Sequence, residues 1–258
     1  MYIYIHIPFC SHICTYCDFP KMLYDKKFVK KYLKVLATEI NTRYQDEEVL
    51  SIYIGGGTPT SLSLEELKYL LEITKKFKKA IKIEFTIESN IESLTKEKIK
   101  LLKQYEVNRI SLGVQSFQDK TLKILGRNHT TNMVKEKIKE LKEEGFTNIS
   151  IDYIYGISDN IKEVEEDIQT FLTLDIPHIS AYSLIIEKNT IFGIQKREYI
   201  EEEKEYEMYR RIKQILESHH YQQYEISNYA KLGYQSKHNL NYWNNGSYYG
   251  FGLGAVSY

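Results

Sequence analysis

Tyr2-Ile3-Tyr4-Ile5-His6-Ile7-Pro8-Phe9-Cys10-Ser11-His12-Ile13-Cys14-Thr15-Tyr16-Cys17 is the stretch whose reading decides the fold. Tyr2–Ile7 reads as an apolar strand, in which Tyr4 faces the side opposite Ile3 and Ile5. The loop after it carries all 3 cysteines of the chain in a C-x₃-C-x₂-C spacing. Three thiolates on one short loop can hold three irons of a 4Fe–4S cluster, which leaves the fourth iron open to an exogenous ligand. Zinc is the other reading of the spacing, with His6 or His12 as the fourth ligand. A disulfide framework needs an even number of cysteines dispersed over a short secreted chain, and this chain has neither.

Outward from that loop, strand and helix alternate. The spacing predicts a helix over 27–44, with Phe28, Tyr32, Val35, Leu36 and Ile40 on one face. A short buried strand, 51–54, ends in Gly55-Gly56-Gly57. Ser63 with Glu66 is a capping-box signature for a helix through Phe77. Further strands are predicted at 82–88, 109–113, 148–155 and 178–184. Helices are predicted at 95–105, 131–144 and 162–174, the second stopped by Gly145. Six βα repeats at this spacing, joined by right-handed crossovers, predict an α/β fold with a barrel or partial barrel. Another charged helix spans 201–218. Beyond Tyr221 the segment is rich in Tyr, Asn and Gly and shows no helical period. Parallel barrels collect chemistry at the carboxyl ends of their strands. The cysteine loop, Gly55–Pro59, Glu88-Ser89-Asn90, Gln115 and the Tyr153–Gly156 turn all fall at such ends.

Composition narrows the class. The chain has 258 residues, 42% of them hydrophobic and only 4 of them Pro, which suits a folded globular protein. Lys+Arg and Asp+Glu balance at 35 each, so nucleic acid is not an expected partner. Met1 leads straight into the first strand without a basic leader, and no apolar run approaches membrane-span length. With reduced thiols, this makes a cytoplasmic protein without a transmembrane segment the expectation.

Several stretches carry a resemblance. Tyr4-Ile5-His6-Ile7-Pro8-Phe9-Cys10 runs into the cysteine loop. Gly55-Gly56-Gly57-Thr58-Pro59, Gly113-Val114-Gln115-Ser116-Phe117 and Leu125-Gly126-Arg127 follow. Asp152-Tyr153-Ile154-Tyr155-Gly156 and His238-Asn239-Leu240-Asn241-Tyr242-Trp243 complete the set. In this order, over nearly the whole chain, they resemble the radical S-adenosylmethionine (SAM) enzymes. More narrowly, they resemble the oxygen-independent coproporphyrinogen III dehydrogenase family and its HemW-type haem chaperones. The resemblance implies a partial (β/α)6 TIM-like radical SAM barrel over residues 1–220. Residues 221–258 would be the start of a small C-terminal family domain, cut short at Tyr258.

It also implies chemistry. The cluster on Cys10, Cys14 and Cys17 would bind SAM through its open iron and deliver the electron that cleaves the sulfonium bond. Gly56, Gly57 and Thr58 would contact SAM through closely approaching backbone. Glu88 would accept ribose hydroxyl hydrogen bonds. Gln115, Arg127 and Asp152 match family positions near SAM, although an Asp in an apolar strand is equally a structural anchor. Tyr4 would reach the sulfonium region, and Tyr16 would pack on adenine. His238, Tyr242 and Trp243 match a motif that HemW-type proteins associate with haem, while a packed loop with a hydrogen-bonded histidine would look the same. His178 and the pair His219-His220 have no such context.

Two departures sort the branches. The dehydrogenases carry a further cysteine two residues after the third, whereas this chain has Phe19, as the chaperone branch does. Family members also continue past Gly250–Gly254 into a further domain, and often carry His where Val256 stands. The apolar end, 248–258, would then be exposed. The expectation is a HemW-like haem chaperone that binds a 4Fe–4S cluster, SAM and haem as cargo, and delivers haem to an acceptor protein. An electron donor of flavodoxin or ferredoxin type would serve the cluster. The alternative is a coproporphyrinogen III dehydrogenase acting by radical oxidative decarboxylation, with Arg127 a candidate for a propionate.

Overall fold

A computed structural model describes all residues from Met1 to Tyr258. In chain order its elements begin with β1 (Tyr2–Ile7), β2 (Phe9–Cys10), β3 (Met22–Leu23), α1 (Lys26–Arg43), β4 (Glu48–Gly56), α2 (Leu64–Ile73) and β5 (Lys78–Asn90). Then come α3 (Lys96–Gln104), β6 (Arg109–Gln115), α4 (Asp119–Ile124), α5 (Thr131–Glu143), β7 (Asn148–Tyr155), α6 (Ile161–Thr173) and β8 (His178–Ser183). The chain closes with α7 (Ile191–Ile194), α8 (Glu202–Ser218), β9 (Gln222–Gln223), β10 (Asn228–Ala230), α9 (Lys237–Trp243) and β11 (Tyr248–Phe251). The class is α/β with mostly parallel strands, as the repeats predict. No helix is long and apolar enough to cross a membrane.

Residues group into two compact units. One comprises Met1–Ile13, Phe19–Ser111 and Ser236–Tyr258; the other comprises Cys14–Asp18 and Leu112–Gln235. Residues 221–235 group with the second unit, and 236–258 with the first.

In the first unit the strand order is β11-β1-β4-β5, and each neighbouring pair is parallel. Ile5 lies opposite Ile54, and Ile54 opposite Ile87, so three fully buried residues line up across the sheet. Parallel pairing puts the carboxyl ends of β1, β4 and β5 on one edge. Helix α1 covers the sheet with Val29, Leu33, Leu36 and Ile40. This corrects the expected face, because Phe28 and Val35 are exposed. Two adjacent apolar stripes share the helical period, and periodicity alone does not choose between them. The aliphatic stripe took the sheet, while the aromatic one lies along Phe9, whose ring is 6.1 Å from Phe28 and 5.3 Å from Tyr32. Burying each aliphatic side chain of that stripe contributes about 1.5–3 kcal/mol.

The tail departs from expectation. Residues 237–243 form a helix of two turns, too short for a period to be seen. Its ends explain it. Ser236 Oγ accepts from the Asn239 amide (3.3 Å), and the buried Glu84 carboxylate accepts from the amides of Lys237 (2.9 Å) and His238 (3.1 Å). Strand β11 then pairs with β1, Tyr2 opposite Tyr248 and Ile5 opposite Phe251. Phe251 is buried, so only Leu253, Val256 and Tyr258 of the apolar end carry the predicted exposure.

The second unit has order β7-β8-β10-β9. Strands β7 and β8 are parallel, while β10 is antiparallel to both of its neighbours. Strand β6 is buried along its whole length. Helix α6 buries Val164, Asp167, Ile168 and Phe171, an apolar stripe with one carboxylate in it.

Candidate functional site

In the first unit, Cys10 ends β2 and is held by backbone pairing to β3, with the Tyr24 amide donating to its carbonyl at 2.9 Å. The residue is 7% exposed, and its thiol lies 3.6 Å from Thr58 Oγ1. Thr58 is buried and accepts from Asn90 Nδ2 at 3.0 Å, so β5 braces the loop after β4. The glycine run is shaped by its neighbours. Gly56 has φ +115, and a Cβ there would meet the His6 ring. A Cβ on Gly57 would come within 2.8 Å of the Pro8 carbonyl carbon and 3.0 Å of Cys10 Sγ. Only glycine admits both the positive φ and the approach.

Glu88, at the end of β5, accepts from Tyr53 Oη (2.8 Å) and from the Gly56 amide (3.0 Å). Tyr4 Oη donates to His6 Nδ1 at 3.0 Å, because His6 Nε2 donates to the Pro20 carbonyl at 2.8 Å. Burial pushes the Tyr4 phenol far up, with Glu88 adding to it, and pushes the His6 imidazole down. Both ring nitrogens of His6 are therefore engaged, and His12 lies beside Glu92 at 3.7 Å. No three His, Cys, Asp or Glu side chains converge as one metal ion would need. A cubane asks each thiolate for a different iron.

In the second unit, Cys14, Tyr16 and Cys17 are seated on the Leu125-Gly126-Arg127 turn. Thr15 N–H donates to the Leu125 carbonyl (3.3 Å), Thr15 Oγ1 to that of Ile124 (3.0 Å), and the Phe192 amide to that of Thr15 (3.0 Å). Gly126 has φ +69, and a Cβ there would press on Thr15 at 3.3 Å. Arg127, buried, donates from Nη1 to Cys14 Sγ at 3.5 Å. A guanidinium at that distance is the setting in which a thiolate ligand is stabilised. Burial raises the Tyr16 phenol; Arg127 opposes this, and Cys14, Cys17 and Asp152 add to it. Asp152 stands mid-strand opposite Ser180. Gln115 ends β6 at φ +73, and its buried Oε1 has no hydrogen-bond partner in the protein. No cysteine is in a disulfide. Thiols on a seated loop, a neighbouring guanidinium and an orphaned amide oxygen suit a cluster and a polar ligand.

In the tail motif the histidine is packed and hydrogen-bonded, on a short helix rather than in a loop. His238 is buried on α9, with Nδ1 3.0 Å from Ser51 Oγ and Nε2 2.9 Å from Tyr242 Oη. Both nitrogens are engaged, and burial, with Arg109 next, drives the imidazole down to about 3. The exposed members of the motif are Tyr242 and Trp243, the latter 53% exposed. His178 is likewise internal, between Ser150 and Tyr224. The sequence reading placed His6 and Asn90 near the site without their roles as a latch for Tyr4 and a brace for Thr58. Glu84 and Asp167 it did not single out, and of these two only Asp167 left a signal, a carboxylate inside an apolar helical stripe.

Comparison with known proteins adds four findings. The pattern of the Radical SAM superfamily matches residues 4–171. The haem chaperone HemW of Lactococcus lactis is 44% identical over 261 residues, covering 99% of this chain and 69% of that protein. HemW of Bacillus subtilis is 44% identical over 265 residues, covering 99% of this chain and 70% of its own length. Among solved structures, the Escherichia coli coproporphyrinogen III oxidase HemN, a radical SAM enzyme, superposes with a TM-score of 0.86. That likeness has 21% identity and covers 99% of this chain and 64% of the other, so it speaks for the fold.

Proposed function

Because the chain belongs to the radical SAM superfamily and, within it, to the HemW-type haem chaperones, we propose that it binds a 4Fe–4S cluster, SAM and haem, and passes haem to an acceptor protein. The observation that carries the reading is the 44% identity spread over 99% of the chain. Phe19, 69% exposed where the dehydrogenases have a cysteine, supports the chaperone over the oxidative enzyme. Phenylalanine has no thiol to serve redox or radical chemistry.

Cys10, Cys14 and Cys17 would be the cluster ligands, and the bound cluster supplies an open iron and one electron. The chain's own residues do the rest. Gly56, Gly57 and Thr58 give the methionyl end a close backbone surface. Glu88 offers acceptors to the ribose, with Tyr53 and the Gly56 amide fixing its orientation. Tyr4 is aimed by His6, and Arg127 sets the charge beside Cys14. Gln115 and Asp152 complete the polar lining, and Tyr16 offers a ring face to adenine. An electron donor of flavodoxin or ferredoxin type and a cytoplasmic location complete the proposal.

For haem, Trp243 and Tyr242 offer exposed rings to the macrocycle. Ligation by His238 Nε2 would require the Tyr242 hydroxyl to leave it, while Ser51 keeps Nδ1 oriented, as outer partners do for ligating histidines.

The test is anaerobic reconstitution with iron and sulfide, EPR with and without SAM, and then a haem titration. Four-iron content with a SAM-perturbed signal and one haem per chain is the expected result. Tyr242→Phe should tighten haem binding and His238→Ala should weaken it. A SAM-sensitive cluster without haem binding would overturn the chaperone reading, and a vinyl porphyrinogen product would replace it with the dehydrogenase. Zinc without sulfide would remove the cluster.

A further inference from the structure

Gln115 closes β6 in the left-handed region at φ +73, a strained conformation for a non-glycine residue. Such a residue persists when its surroundings over-determine it. The three residues that follow supply the restraint, and all three lead to one side chain. Ser116 Oγ donates to Asp167 Oδ2 at 2.7 Å, and Gln118 Nε2 donates to Asp167 Oδ1 at 3.1 Å. The Phe117 amide also donates to this carboxylate, and the buried Tyr153 phenol reaches it from β7. Ser116 Oγ in turn accepts from the Gln118 amide at 3.0 Å, which closes the turn on itself. Thr131 Oγ1 donates to the Phe117 carbonyl at 2.6 Å from the other side.

We propose that Asp167 is a positioning residue for SAM binding: by gripping residues 116–118 from α6 it keeps Gln115 in its left-handed conformation, with the amide presented to the ligand. The inference rests on the reading of Gln115 as a SAM contact. Three features make a merely structural role a poorer account. Asp167 occupies a position of the α6 stripe that an aliphatic residue would fill at no desolvation cost. Asp167 is 2% exposed, and burial pushes its carboxyl up to about 6 against the donors that hold it down, with Glu163 adding to the rise. The residue it constrains carries a buried amide oxygen with no partner in the protein. Gln115 carries both the strain and the orphaned acceptor, and the buried carboxylate of Asp167 holds the turn that follows it; a bound ligand that donates to Gln115 accounts for the arrangement.

The test measures the SAM dissociation constant of reconstituted protein by equilibrium dialysis, and amide hydrogen exchange of the ligand-free protein. Asp167→Ala is expected to weaken SAM about tenfold or more and to speed exchange at Phe117 and Gln118, while the β7 amides stay protected. Asp167→Asn, which keeps one carbonyl acceptor, should recover most of the affinity. Gln115→Ala should match Asp167→Ala, and the double variant should be no weaker than either single one, since one residue acts through the other. If Asp167→Ala does not fold, Ser116→Ala removes one leg of the grip and is expected to weaken SAM about threefold. Full SAM affinity in these variants while Gln115→Ala weakens it overturns the proposal alone, and so does additivity in the double variant. Full affinity in Gln115→Ala removes the SAM contact and the proposal with it.

Discussion

Burial holds the His238 imidazole neutral down to about 3, whereas an unfolded histidine takes up a proton near 6.5. Its contribution to stability is therefore present above pH 6.5 and is lost as pH falls toward 3, by up to about 5 kcal/mol. Asp167 runs the other way. The folded chain keeps its proton until about 6, while the unfolded chain releases it near 3.8. That contribution is complete below 3.8 and is lost as pH rises to 6, by about 3 kcal/mol. Over pH 4–6 the two slopes oppose each other. Denaturant unfolding at pH 4, 5, 6 and 7 should show less loss on acidification in His238→Gln than in the wild type. In Asp167→Asn it should show a steeper rise with pH between 4 and 6. Parallel pH curves for the variants and the wild type would mean that neither group is held as its surroundings indicate.

Helix α9 and the end of β4 show what individual elements depend on. Seven residues do not make a stable helix by propensity; the Glu84 carboxylate and Ser236 satisfy its first amides. Glu84→Ala leaves the buried His238 amide and the partly buried Lys237 amide unpaired and should cost about 1–3 kcal/mol. Trp243, the chain's 1 tryptophan, reports on this directly. Its emission should shift red in the variant before circular dichroism shows general unfolding, and an unshifted band would contradict the capping account. At β4, Gly57→Ala places a methyl group against Pro8 and Cys10 Sγ. The backbone there cannot yield without moving the cysteine, so reconstituted iron and sulfide should fall well below the wild-type content. Full occupancy in that variant would show the contact to be soft. The element reading also explains the misplaced face of α1. Its existence was legible from spacing, but the choice between two apolar stripes was made by the sheet and by Phe9.

Along the chain the units alternate: one is assembled from three segments and the other from two. A fragment ending at residue 220 would lose β11 from beside β1, and β9 and β10 from the β8 edge. It should be less resistant to protease and melt at lower temperature than the whole chain; equal resistance would favour a domain boundary after residue 220. The alternation of strands and helices, the capping box at Ser63, the stop at Gly145 and the three cysteines were all readable in the sequence, because each rests on local spacing or local φ/ψ preference. The family followed from ordered motifs, which need no fold to be recognised. Contacts distant along the chain were not readable in this way. Nothing local says that residues 236–258 return to β1, that Glu84 caps a helix more than 150 positions later, or that His238 lies between Ser51 and Tyr242. Nor does local sequence say that Asp167 grips the turn after Gln115. Those relations are decided by which buried donors and acceptors meet once the sheet has formed, and only the tertiary structure brings them within hydrogen-bond distance.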